Sequence, residues 1–427
     1  MPAADLRGLR SLLAVLALCA VGASAVTATD YGQPLPGLSE AELRRFDQGD
    51  RLFATRFAAT GGFAGLGPTY IARACADCHV RDGRARPPDH DHPGLGPLTI
   101  WLQGRDGLPL PHYGRELSTA ALPGVPAEAE ARLHWREQAV PAAGGMRLRW
   151  PALRIHAPQF GPLPDGHRRS LRMATAIIGL GLLAGIPEAE LRAGADPADA
   201  DADGISGRVQ IIDGRVGRFG WKAGEASLAG QIRSAAWHDL GLRSAARPAP
   251  NCPPAQAACL RAAAGEATVE LRAEWIEWLA FYLATHAVPA PRSPPGAGPG
   301  AALFRAIGCA DCHRPLTGTS GRHPIAALDQ QPVWAYTDLL LHDLGPELAD
   351  GFVEGVASGS EWRTAPLWGL NALPRVNGHR RLLHDGRADG VVEAIGWHGG
   401  EAAASRRAFF ALDAAQRRQL LDYVEGR

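Results

Sequence analysis

The chain of 427 residues carries 44 Lys and Arg against 44 Asp and Glu, so no excess charge draws it to nucleic acid or to an acidic membrane. At about 100–200 residues per domain, this length suits two or three domains. The 51 Gly and 34 Pro follow no repeating period and accompany 46% hydrophobic residues, which excludes a collagen-like or disordered chain and implies long ordered loops around helices.

Residues 1–25 read as a secretory signal: arginines, an apolar run from Leu12 to Val21, then Ala23-Ser24-Ala25 as the cleavage site. The apolar run falls short of the roughly 20 residues a membrane-spanning helix needs. The mature protein is therefore expected in the periplasm with no transmembrane segment. Cys19 offers a lipid-anchored alternative, although Leu18 stands where a lipobox has a small residue.

The stretch GDRLFATRFAATGG predicts a helix leading toward ARACADCHVRDG, where Cys75 and Cys78 are followed directly by His79. The second copy, GAALFRAIGCADCHRP, repeats the arrangement with Cys309, Cys312 and His313. A zinc ribbon would need the four thiols together and leaves both histidines incidental. A thioredoxin-type dithiol has no use for the histidines either. Covalent haem attachment explains every part: two thioether bonds per haem, with the adjoining imidazole as proximal iron ligand. Two haem c groups are expected.

Between the motifs, DPADADADGISGR sets Asp199, Asp201 and Asp203 on alternate residues before Gly204, like the start of a calcium loop, with Gln210 where an EF-hand has its closing Glu. These three are candidate calcium ligands. Trp221, in GRFGWKAG, reads as packing or as an electron relay between haems. Cys252 and Cys259 lack an adjoining histidine, and in an exported protein they suit a small disulfide loop. Leu271, Trp275, Leu279, Tyr282 and Leu283 then keep helical spacing.

VPAPRSPPGAGPG, residues 288–300, is a stiff linker. It divides an N-terminal haem c domain with insertions, 26–290, from a C-terminal one, 301–427. The chain closes on a helix with a capping-box pattern at Asp413 and Gln416. Strand signals are sparse, so the expected fold is mostly α: two cytochrome c-like haem domains with long loops and few strands.

CADCHVRDGRARPP, GLGLLAGIPEAEL, DADADGISGR, GRFGWKA, LLLHDLGPELADG, WRTAPLWGL and LHDGRADGVVEAIGWHGGEA together resemble the bacterial di-haem oxidoreductase family, distant relatives of the di-haem cytochrome c peroxidases. In those peroxidases an HDG turn is followed, one helix later, by a methionine on the electron-entry haem. Here HDG begins at His384, the corresponding position is His398, and no methionine follows Met173. The resemblance thus implies His398 as distal ligand of the second haem, with His342 and His384 as competitors that suit hydrogen bonding beside it. It also raises the expectation of calcium. For the first haem the candidates are His90, His92, His112, Met146, Met173 and His238, and the acid/base candidates are Glu116, Glu225 and His238.

The expected function is electron transfer between two covalent haems, with peroxide reduced at the N-terminal one and a small soluble redox protein as donor or acceptor. A non-enzymatic carrier, or a haem-based sensor or accessory to iron handling, is the alternative.

Overall fold

The computed structural model describes residues 30–60, 65–88, 95–264 and 269–427. Residues 1–25, read above as a secretory signal, and His90 and His92 lie outside them. In chain order the main elements are α1 (Glu40–Phe53), β1 (Leu98–Gln103), β2 (Glu130–Val140), β3 (Met146–His156), β4 (Arg168–Met173), α2 (Leu228–Asp239), α3 (Ala273–Ala284), α4 (Pro299–Ala306), α5 (Cys309–Cys312), β5 (Leu341–Asp343), β6 (Glu361–Arg363), α6 (Val391–Trp397), α7 (Ala403–Ala411) and α8 (Ala414–Val424).

Two helix crossings of the same construction organise these elements. Ser39 and Glu42 form a capping box that starts α1, and Asp413 and Gln416 do the same for α8. α1 crosses α3 at Gly49, where a Cβ would strike Tyr282 and come within 2.7 Å of the Trp278 carbonyl. α4 crosses α8 at Gly300, where a Cβ would strike Gln419 and Tyr423. Each crossing thus sets a glycine against a tyrosine, because only a bare Cα lets the backbones approach so closely. Phe46, Phe53, Trp275, Leu279 and Tyr282 fill the first core, and Phe304, Phe409, Leu420 and Tyr423 the second. Each such buried side chain is worth about 1.5–3 kcal/mol of transfer free energy.

The mostly α class is overturned: the chain is 30% helical and 18% strand, in many short sheets. The largest departure lies between the first motif and Met173. There β1 pairs antiparallel with β4, and β2 pairs with β3 over its whole length, from Glu130↔His156 to Val140↔Met146. Gly144 and Gly145, at φ 65° and 77°, carry the reversal at the tip. Near its base the ribbon packs Leu133, Trp135 and Leu153 onto the core over β1 and β4. Near its tip Val140 and Leu148 pack against Ala394 and Trp397 of α6. The ribbon therefore buries parts of both faces at different points, and it braces the helix that ends at His398.

Residues 288–300 are pinned along the C-terminus: the Arg292 amide donates to Gly426 O at 2.8 Å, and Pro299 already belongs to α4. No helix among the described residues is long and apolar enough to cross a membrane.

Cys252 and Cys259 are joined in a disulfide, with Cα atoms 5.7 Å apart. Such a short loop stabilises at the low end of the usual range. Replacing both cysteines with serine is expected to lower the unfolding free energy by about 2 kcal/mol. A urea titration checks this, and an unchanged midpoint would contradict a stabilising bridge.

Candidate functional site

Two cavities are built around the two motifs. The first, about 720 Å³, is lined by Cys75, Cys78 and His79 and lies within the usual ~300–1,000 Å³ of cofactor pockets. The second, about 190 Å³, is a narrower slot lined by Cys309, Cys312, His313 and His398. Leu344 and Leu383 are among the leucines in its wall.

At the first motif, Asp77 accepts from the amides of Arg73 and Ala74 at 2.9 and 3.2 Å and so caps the 3₁₀ turn Cys75–Asp77. His79 follows with its Nδ1 2.7 Å from Thr175 O. A carbonyl can only accept, so Nδ1 holds the proton and Nε2 keeps the lone pair a metal needs. His313 has the same arrangement, with Nδ1 2.9 Å from Tyr336 O, and so does His398, with Nδ1 2.6 Å from Ala394 O one helical turn back. Burial lowers the pKa of all three, that of His313 to about 4, which keeps the imidazoles neutral.

The four motif cysteines are unpaired. Burial, with help from nearby carboxylates, pushes the Cys75 and Cys309 thiols up to about 12 and raises Cys78 and Cys312 as well. Such buried, protonated thiols are poor nucleophiles for disulfide exchange. Among the described residues, no group of three metal-ligating side chains includes Cys75 or Cys78. Buried thiols beside a lone-pair imidazole, facing a cavity, fit a haem joined through thioethers.

The competitors for the second iron are engaged elsewhere. His342 places Nε2 2.9 Å from Asp338 and Nδ1 2.7 Å from Glu401. Burial opposes its charge, but hydrogen bonds to Asp338, Cys312 and Glu401 override that and push it up to about 12. It is an imidazolium with both nitrogens occupied. His384 is stacked on Trp362 at 3.8 Å, and burial pushes it down to about 4. His384 lines the second cavity as a neutral ring.

Of the candidates for the first iron, His112 is exposed, with its ring on Phe160 O, and Met146 packs with the ribbon tip. Neither lines either of these two cavities. Met173 and His238 both line the first one. His238 is wedged between Trp101 and Trp237, 3.7 Å from the Glu116 carboxylate. Burial and then the cations of Arg247, Arg115 and Arg172 push it down to about 3.

Sequence reasoning passed over Asp239. It lines the first cavity, and burial pushes it up to about 7. Glu116 is raised by burial and by Asp239 beside it. Ionising both of two buried carboxyl groups side by side is unfavourable, so the two titrate together. Glu225 faces the same cavity with its pKa raised by burial. Trp221 stands in the walls of both cavities, its indole N–H donating to Met173 O at 2.8 Å.

The acidic turn brings oxygens of Asp199, Asp201 and Asp203 within 4.8 Å of one another. Gln210 does not close the loop. Its amide is buried and bonded to the backbone at Lys222, Glu354 and Val356.

The profile of the family described as "Di-haem oxidoreductase, putative peroxidase" matches residues 163–426, well over half of the chain. The chain belongs to this family. Haem cofactors and a di-haem redox function follow from that membership. The matched region of this di-haem oxidoreductase contains Trp221, the second motif and His398, and it begins after the first motif. No curated protein matches the chain. Among solved structures, one similar chain is Kuenenia stuttgartiensis hydrazine synthase pressurized with 20 bar xenon, at 13% identity and TM-score 0.36, covering 93% of this chain and 94% of that one. So low a score carries no argument about function.

Proposed function

We propose that this di-haem oxidoreductase is a periplasmic c-type protein in which electrons enter at the second haem, pass to the first and there reduce a small oxidant such as hydrogen peroxide. Cys75 and Cys78 would hold the first haem by thioethers, with His79 on its iron. Cys309 and Cys312 would hold the second, with His313 and His398 as its axial pair. One observation carries the proposal: two cavities, each headed by a CxxCH histidine whose Nδ1 is tied to a carbonyl, share Trp221 as a wall.

When bound, haem supplies one-electron storage and an iron that can take an oxygen ligand. The residues supply the rest. Thr175 O and Tyr336 O fix the imidazole tautomers. Glu225 and the Glu116–Asp239 pair line or back the first cavity and hold protons there, with neutral His238 beside them as an acceptor; peroxide reduction needs such protons because two electrons and two protons turn each peroxide into two waters. A small soluble redox protein is the electron partner. The signal segment and the Cys252–Cys259 disulfide favour an oxidising compartment. Calcium at Asp199, Asp201 and Asp203 is included, supported by their convergence. Without a bidentate closing Glu its affinity is expected at the weak end, about 10⁻⁴–10⁻³ M.

Low-temperature EPR of the oxidised and half-reduced holoprotein, with and without millimolar calcium, tests the proposal. A high-spin signal that appears on half reduction is expected. Two unchanging low-spin signals would instead make the protein an electron carrier.

A further inference from the structure

Two arginines stand in the walls of both cavities, and neither meets a carboxylate. Arg84 lies five residues beyond His79. Among the described residues its guanidinium has no hydrogen bond and no ion pair, and the opposite charge acting on it comes only from the Tyr31 phenol. The residue is half-buried and lines both cavities. Arg363, at the end of β6, is 7% exposed. Its Nε donates to Gly220 O at 2.9 Å and one terminal nitrogen to Thr364 O at 3.0 Å. Asp338, the carboxylate that acts on it from nearby, is already taken by His342.

Several other buried cations among the described residues are compensated. Arg387 has Asp385 at 2.7 Å, Arg243 has Glu270 at 2.5 Å, Lys222 has Asp350 at 3.5 Å, and Arg218 collects three helix-end carbonyls. A buried guanidinium without a counter-charge is costly. Its free donors match a carboxylate in fork geometry. Haem carries two propionate carboxylates on its edge, and the wall common to both cavities is where one residue can serve two macrocycles.

We propose that Arg84 and Arg363 form a shared carboxylate seat, binding a propionate of each haem at the wall the two cavities have in common, beside Trp221. The seat rests on the di-haem reading above. It does two things with the same charge. It anchors both macrocycles to one wall, and it places positive charge next to both irons, which favours their reduced states.

The test compares the wild type with Arg84→Gln, Arg363→Gln and Arg84→Lys, reading haem content by the pyridine haemochrome and both midpoint potentials by spectroelectrochemical titration. Arg84→Gln is expected to keep two haems and to lower both potentials, and Arg84→Lys to restore most of the loss in each. Should Arg84→Gln fail to fold, Arg363→Gln is expected to show the same double shift. A variant that keeps both haems and moves one potential alone, or neither, would overturn the seat and leave the di-haem reading standing. A wild type with fewer than two haems would overturn that reading itself.

Discussion

Replacing His398 with alanine is expected to open the distal position of the second haem and to slow electron delivery to the first by at least about 100-fold. His398 caps the C-terminus of α6, and its Nδ1–H on Ala394 O fixes the ring so that Nε2 faces the cavity shared with His313. Loss of a partner that merely orients a metal-bound histidine costs about 10–100-fold. Loss of the ligand itself belongs at the upper end. Nothing nearby takes over: His342 is held between two carboxylates and His384 lies flat on Trp362. The absorption spectrum should shift from low to high spin at one haem only, and stopped-flow reduction gives the rate. A His398→Ala protein with both haems still low-spin and normal reduction would assign the distal position to another group.

The second large effect concerns Glu128, buried away from both cavities. Its carboxyl takes the Ser118 amide at 2.6 Å and the Gln256 amide at 2.5 Å, yet burial outweighs these bonds and pushes it from 4.5 up to about 7. The folded state therefore keeps this proton between pH 4.5 and 7 while the unfolded chain releases it. Glu128 thus costs stability progressively as pH rises through that window, and the cost is constant above it. At about 1.4 kcal/mol per pH unit, the effect amounts to about 3 kcal/mol. Asp239 tilts stability in the same direction. His238 and His384, buried and neutral, tilt it in the other, because the unfolded chain protonates them first as pH falls. The whole-protein curve mixes these, so the clean quantity is a difference. Relative to wild type, Glu128→Gln is expected to gain about 3 kcal/mol in denaturant stability between pH 4.5 and pH 8. A gap that does not vary with pH would show that Glu128 ionises normally in the folded state.

Local spacing made the capping box at Asp413 and the helix around Trp275 legible in the sequence, since each is decided within one or two turns of chain. The β2–β3 ribbon was also written there, as alternation in RLHWREQAV and MRLRWPALRIH. It was passed over because arginines fill its outer positions and its buried positions change face midway. What could not be read locally was whatever tertiary contact decides. Arg84 sits in the run RDGRARPP, which looks like solvated surface, and only the fold turns it into a wall of two cavities. Glu116 and Asp239 are far apart in the chain, and Asp239 raises the Glu116 carboxyl only because α2 brings them together. Gln210, placed by its spacing as a would-be calcium closer, is drawn instead into the backbone around Glu354.

The whole account depends on two macrocycles joined to this chain by covalent bonds. Intact-mass spectrometry of denatured protein, matured in a host that attaches haem c, tests this most directly. The expected mass is increased by two haems, falling to one when Cys75 and Cys78 are both changed to serine. Unmodified thiols on a chain without haem, or zinc retained in the native protein, would contradict it.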